Sequence, residues 1–403
     1  MKDILVGQTL YGKPEQNAVN KVLKEGWLGV GKYTNLFEKR VAKYVGQRYG
    51  IATNSGSSAL LLAVQALNLP KGSKVIVCAA GFPATVAPIL HAGLIPVFVD
   101  AEMISYSIDI AQIIQALVEY PDICALVFAH TVGNVANMEE IMKIKKFNDL
   151  IVIEDICDAL GATWQGQQVG SFGDIACLSF YPSHHITAGG LGGMCLTSKE
   201  QYAKDIISLR DWGKMHETPE YYNAYTTETK YYTKIDGIDY DYRYSYSHVG
   251  YNLKPSDMNS AFGLAQMDRL ESFIKRRNEN VENLKDISTF TGEEEWFYHP
   301  DHYDQAQPSW FNYPVVLSEN APFTRDELVK YFESKKIRCR LFFAGNITRH
   351  PAFKGKGIII GKLPVSDYLM KNAFLIACHP TLTDANIKYI GDTLRTFLNS
   401  KTA

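Results

Sequence analysis

No run of apolar residues in this sequence approaches the length of a membrane span, and its start, Met1-Lys-Asp-Ile-Leu, lacks the charged-then-apolar make-up of a secretory leader. A cytoplasmic protein is therefore expected. Neither sign of charge prevails: 41 Lys and Arg stand against 43 Asp and Glu, for a formal net charge of −2. That balance excludes a broad field for nucleic acid or anionic membrane, while a local basic pocket for a phosphate stays compatible with it. The seven cysteines (Cys78, Cys124, Cys157, Cys177, Cys195, Cys339 and Cys378) are odd in number and widely spaced, with no CxxC or CxC pair. Neither a disulfide framework nor a zinc centre is expected. Most sit in apolar, strand-like segments and read as small buried hydrophobes. Repeats and low-complexity tracts are absent too.

What is present is an alternation. Short apolar, β-branched runs at Lys74–Cys78, Ile95–Val99, Ala125–Ala129, Leu150–Glu154, Ile175–Phe180 and Gly193–Thr197 are separated by amphipathic stretches. Helices are predicted at Ser57–Leu67, Ala84–His91, Ile108–Val118 and Met138–Phe147. Near-continuous apolar strands between helices indicate an α/β protein with a mainly parallel sheet covered on both faces. Ligands in such sheets gather at the carboxyl ends of the strands. At 403 residues the chain has room for two domains, placed at 1–265 and 266–403. Between them, the tyrosine-dense stretch Glu217–Ser247 reads as a long ordered loop, because disordered segments are poor in aromatics. One long helix is predicted from about Pro255 to Asn283, followed by alternating short strands and helices.

Three segments carry chemistry. In Thr53-Asn-Ser-Gly-Ser-Ser-Ala-Leu, a small-residue loop runs into an apolar helix. Gly56 would let the backbone approach an anion held at the helix N-terminus, although a plain helix cap has the same composition. In Ile151-Val-Ile-Glu-Asp-Ile-Cys-Asp158, two carboxylates end an apolar strand, where ionised groups are expensive unless paired. Asp155 under a pyridinium nitrogen would meet that need; a helix N-cap is the ordinary alternative. In Ser179-Phe-Tyr-Pro-Ser-His-His-Ile-Thr-Ala-Gly-Gly-Leu-Gly-Gly193, a serine leaves a strand, a histidine pair follows, and glycines permit close backbone approach.

The order Ser-Gly-Ser, Glu-Asp, then Ser-Phe with a Thr/Gly-rich turn resembles the DegT/DnrJ/StrS-type sugar aminotransferases. The likeness extends to Phe37-Glu38, Gly250-Tyr-Asn-Leu-Lys and Arg340-Leu-Phe-Phe-Ala-Gly-Asn346, and so covers nearly the whole chain. It implies the aspartate aminotransferase fold (type I): a large domain with a mainly parallel seven-stranded sheet and a smaller C-terminal α+β domain. It also implies pyridoxal phosphate or pyridoxamine phosphate as cofactor. Gly56 and Ser57 would hold the cofactor phosphate together with Ser179. Phe82 would stack on the ring, Asp155 would pair with the ring nitrogen, and Asp158 would lie near the phenolic oxygen. Asn252 would reach the cofactor of a neighbouring subunit, which makes a homodimer the expected assembly. The family's Gly-Glu-Gly-Gly turn stands here as Gly189-Gly-Leu-Gly-Gly193, without the glutamate and one residue longer.

Ordinary members of the family carry a lysine, covalently joined to the cofactor, where this chain has His184; Lys146 and Lys199 cannot fill that slot. The His-His-Ile-Thr form is similar to a branch of 3-dehydratases acting on GDP-4-keto-6-deoxy-mannose or CDP-4-keto-6-deoxy-glucose in dideoxysugar and lipopolysaccharide O-antigen synthesis. An imidazole cannot form a Schiff base, so the cofactor stays free as its amine, and His184 serves as catalytic base with His185 in support. The sugar would then lose its C3 hydroxyl rather than gain an amino group. One type in this branch draws the needed electrons from an iron–sulfur cluster and a reductase, the other from the amine itself, which an amino donor such as glutamate restores. After Arg210-Asp-Trp-Gly213, where the cluster type places three cysteines, this chain has none until Cys339; Cys157 alone remains, with His216 a weak further candidate. A cluster-free 3-dehydratase with no metal is the expected function. An aminotransferase-like enzyme, a reductase-coupled 3-dehydrase and a non-catalytic sugar-nucleotide sensor are the alternatives. Arg338, Arg340 and Arg349 are candidate diphosphate contacts or plain surface arginines, with CDP, GDP and dTDP all open.

Overall fold

A computed structural model of the chain describes residues 2–215, 232–289 and 294–402. Its main sheet is built from β1 (Tyr49–Thr53), β2 (Lys74–Cys78), β3 (Ile95–Val99), β4 (Ile123–Ala129), β5 (Ile151–Asp155), β6 (Ile175–Ser179), β7 (Gly193–Thr197) and β8 (Ile358–Ile359). The order across the sheet is β1-β7-β6-β5-β4-β2-β3-β8. β7 runs antiparallel to both neighbours, and every other adjacent pair is parallel. The apolar strand segments Val75–Cys78, Pro96–Val99 and Val152–Ile153 are buried because helices pack on both faces, which is why their sequences are apolar throughout rather than alternating.

The sheet differs from the seven strands expected by the added β8, a two-residue strand from the C-terminal part of the chain that pairs with β3. Two residues are too few to leave a periodic signal. The long helix expected at 255–283 is two helices, Asp257–Met267 and Leu270–Thr289. The first is capped by Ser256 and packs on the helices Lys13–Glu25 and Lys32–Val45; the second packs on Asp384–Thr402. Two faces with different partners require a change of axis between them. Of the tyrosine-dense stretch read as a loop, residues 217–231 lie outside the described residues, and Tyr232–Ile235 pairs with Ile238–Asp241 as a hairpin. Asp236 and Gly237, both at positive φ (48° and 84°), form its two-residue turn, the backbone that an Asp-Gly pair favours.

The C-terminal part forms a separate antiparallel sheet in the order Phe297–Tyr298, Tyr313–Leu317, Ala373–Ile376, Arg340–Leu341. The N-terminal residues cross onto it, where Ile4 bridges Ile337. Among the described residues no helix is long and apolar enough to cross a membrane.

Candidate active site

The carboxyl ends of β4, β5 and β6 open onto a cavity of about 760 Å³. Its far wall comes from the C-terminal part of the chain, through Phe311, Arg340 and Phe343.

One end of the cavity is the start of the helix Gly56–Gln65. Ser55 caps it by accepting a hydrogen bond from the Ser58 amide at 3.1 Å, so the Gly56 and Ser57 amides point past the helix end without an intrahelical acceptor. Ser179, at the end of β6, lies directly against Gly56: a Cβ on that glycine would sit 2.6 Å from the Ser179 Cβ. Two amides, a helix dipole and a hydroxyl make a receptor for a small dianion such as a phosphate.

At the middle of the cavity stands Asp155, only 6% exposed. Its Oδ2 accepts from the Thr85 hydroxyl at 2.7 Å and its Oδ1 from the Cys157 amide at 3.1 Å. Burial pushes this carboxyl above its ordinary pKa, against the two hydrogen bonds and nearby His130. A buried carboxylate facing open space is stabilised by a cation placed there. Behind it, His130 accepts from the Ala136 amide through Nδ1, which leaves Nε2 to face Glu154 at 3.3 Å. Glu154 in turn accepts from the amides of Gly170, Phe172 and Gly173. The strand end that carries Asp155 is thus held from behind by a satisfied polar network.

His184 occupies the side nearest the C-terminal part. Its ring stacks on Phe311 with centroids 4.9 Å apart and planes 29° apart. Nδ1 lies 3.4 Å from Asp158 Oδ1, too poorly aligned for a hydrogen bond. Burial, with the charges of Arg277 and Arg340, drives the imidazole pKa down to about 3, while burial and the neighbouring Asp155 raise Asp158 to about 8. The imidazole is therefore neutral at pH 7, and Asp158 holds its proton far more strongly than an ordinary carboxyl. His185 points away: its Nε2 donates to the Ser309 carbonyl at 2.9 Å. No lysine is among the described residues lining the cavity.

The cavity thus gathers Gly56, Ser57, Phe82, Asp155, Asp158, Ser179 and His184. Asn252 does not line it; exposed, it forms a bridge with Asp211. Of the three candidate arginines only Arg340 reaches the cavity. Arg338 is paired with Asp3 and Glu333 and Arg349 with Asp367 at the surface, which is the plain surface-arginine alternative for these two. Cys157 is the one cysteine among the lining residues, and His216 lies outside the described residues. Sequence reasoning missed Thr85, His130, Phe311 and Phe343. His130 directly follows β4, and that strand-end position could have flagged it. Phe343 lies within the quoted Arg340–Asn346 segment, whereas Phe311 comes from a distant segment with no local signal.

Residues 10–395 match the model of the DegT/DnrJ/EryC1/StrS aminotransferase family. The chain belongs to this family. It is 41% identical, over 95% of its length and 89% of the relative's, to the lipopolysaccharide biosynthesis protein RfbH of Salmonella typhimurium. It is 38% identical, over 92% of its length and 81% of the relative's, to the dTDP-4-dehydro-2,6-dideoxy-D-glucose 3-dehydratase of Saccharopolyspora spinosa. Among solved structures, a GDP-4-keto-6-deoxymannose-3-dehydratase with a trapped PLP-glutamate geminal diamine superposes with a TM-score of 0.86 at 26% identity, covering 97% of this chain and 100% of that one. These likenesses span the family fold, with its large mostly parallel sheet and pyridoxal phosphate chemistry.

Proposed function

We propose that the protein is a pyridoxamine phosphate-dependent 3-dehydratase of a nucleotide-linked 4-keto-6-deoxy hexose, acting in dideoxysugar synthesis as a cytoplasmic homodimer. The observation that carries the proposal is the partly buried imidazole of His184 in a cavity with no lysine among its described lining residues. A cofactor there has no amine to bind it covalently.

The residues present fit that cofactor. The Gly56 and Ser57 amides and the Ser179 hydroxyl would hold its phosphate. Asp155, costly while unpaired, would hold the pyridine nitrogen protonated, and Thr85 would aim its carboxylate. Phe82, exposed at the cavity wall, would cover the ring, and Asp158 would face the phenolic oxygen. When bound as the amine, the cofactor supplies a nitrogen for the sugar's C4 ketone, an electron sink, and the two electrons that exchange of C3–OH for C3–H requires.

His184 is unprotonated throughout the physiological range and can accept a proton, its ring held in place by the stack on Phe311. Arg340, exposed at the rim and without an ion-pair partner among the described residues, would take the substrate's diphosphate. Asn252, exposed and outside the cavity of its own chain, would serve that of a partner subunit. A cluster-free course rests on the sequence, which has no cysteine between Arg210-Asp-Trp-Gly213 and Cys339, and on Cys157 being the one cysteine among the described cavity-lining residues. In balance, sugar and amine cofactor give deoxy sugar, aldehyde cofactor and ammonia; glutamate then restores the amine and leaves as 2-oxoglutarate.

The test is incubation of the purified protein with pyridoxamine phosphate, glutamate and a panel of CDP-, GDP- and dTDP-linked 4-keto-6-deoxy sugars. A 3-deoxy product with one ammonia released per turnover is expected. A 4-amino sugar that keeps its C3 hydroxyl would overturn the reading.

A further inference from the structure

Arg277 lies in the helix Leu270–Thr289 and is 1% exposed. No carboxylate pairs with it among the described residues, and its Nε has no hydrogen-bond partner. An unpaired cation in the interior is costly where an apolar side chain of similar size would be stable. Besides a contact from Nη1 to Cys378 Sγ at 3.9 Å, it donates to carbonyl oxygens of two chain segments far apart in sequence. Nη1 donates to Phe311 O at 2.7 Å; Nη2 donates to Ser183 O and His184 O, both at 3.0 Å. Phe311 is also the ring on which His184 stacks.

We propose that Arg277 is a positioning residue for the base, one guanidinium tying His184 and the ring stacked on it into a single rigid unit. This rests on His184 being the base, as proposed above. The neighbouring residues on the same helix support the assignment by contrast. Asn278 holds Pro308 O and the Trp310 amide, and Asn280 holds Cys378 O and His379 O. Those neutral amides bind the same C-terminal segments, so binding carbonyls there does not require a charge. Arg277 alone of the three reaches the histidine loop, and its planar fork spans the gap between the two segments in a way a point-charge ammonium cannot.

The charge has a second effect. The charged or titratable groups around the His184 ring are Asp158, Arg340, His185, Arg277 and Tyr181. Arg277 acts in one sense on its titratable neighbours, disfavouring a proton on His184, on His185 and on Asp158 alike. It thereby holds the imidazole in its accepting form.

Two variants separate positioning from mere support. Arg277→Met keeps the volume and removes fork and charge; Arg277→Lys keeps the charge and removes the fork. In histidine-labelled protein followed by nitrogen NMR, with His184→Asn to assign the signal, Arg277→Met should raise the His184 titration by about one pH unit. Its kcat should fall about ten-fold or more with KM nearly unchanged, and the acid limb of the pH profile should move up. Arg277→Lys should lose kcat similarly while the titration stays low. Reduced melting temperature with kcat per folded enzyme and titration both at wild-type values would overturn the proposal. Should Arg277→Met not fold, Arg277→Lys decides alone, wild-type kcat counting against the proposal. If the wild type forms no deoxy sugar, the functional reading falls, and the NMR titration still judges Arg277.

Discussion

Gly56 passes Ser179 so closely that a side chain on the glycine would meet the serine Cβ at 2.6 Å and its Oγ at 3.1 Å. Neither partner is a flexible tip, since the serine is anchored at the end of β6. Gly56→Ala should therefore push the helix start away from the serine and cost about 1–3 kcal/mol of stability. Affinity for pyridoxamine phosphate, measured by fluorescence titration, should fall about ten-fold or more as the two amides and the hydroxyl cease to converge.

Thr85 is the side chain that aims Asp155. Thr85→Val keeps the shape and deletes the hydroxyl, leaving one carboxylate oxygen without its protein donor. Loss of such a bond to a buried charge costs about 1–3 kcal/mol. The expected outcome is a kcat lowered about ten-fold or more with a circular dichroism spectrum like that of the wild type.

His184→Lys would place an amine where the cofactor is held without a covalent bond. Burial lowers a lysine pKa and frees its nucleophilic form. Borohydride treatment followed by peptide mass spectrometry should find cofactor joined to residue 184 in the variant and to no residue in the wild type. The variant should also lose C3 deoxygenation.

The His184 and Asp158 shifts give opposite pH signatures in protein stripped of cofactor. The folded-state pKa of His184 is depressed from 6.5 to about 3, so the unfolded chain binds the extra proton and stability is lost as pH falls below 6.5. His184→Asn removes that loss and should gain about 2 kcal/mol relative to wild type at about pH 5, with little gain at about pH 8. Asp158 is raised to about 8, so its neutral form is favoured on folding and stability is lost as pH rises from 3.8 through 8. Asp158→Asn should thus gain on wild type at about pH 7.5 and not at about pH 4. Urea denaturation at these pH values checks both.

Local chemistry made much of this protein legible before its fold was seen. The apolar runs that became β2 to β7 announce themselves because a strand covered on both faces must be apolar along its length. The Ser-Gly-Ser turn, the Glu-Asp strand end and Ser179 can be read for the same reason: each is a short segment whose composition already states its backbone and its charge. The absence of a lysine at residue 184 is likewise a fact of the sequence alone. Tertiary structure decided what those residues face. Arg277 sits in a Lys-Arg-Arg run that reads as a solvated helix face, yet its side chain is buried between two segments separated by more than a hundred residues in the chain. Arg338, Arg340 and Arg349 look alike in sequence, and only packing separates the one at the cavity from the two paired on the surface. Phe311 reaches His184 because the C-terminal sheet closes over the carboxyl ends of the parallel strands. Composition and spacing report energies between near neighbours in the chain; contacts made across the closed fold leave no trace in either.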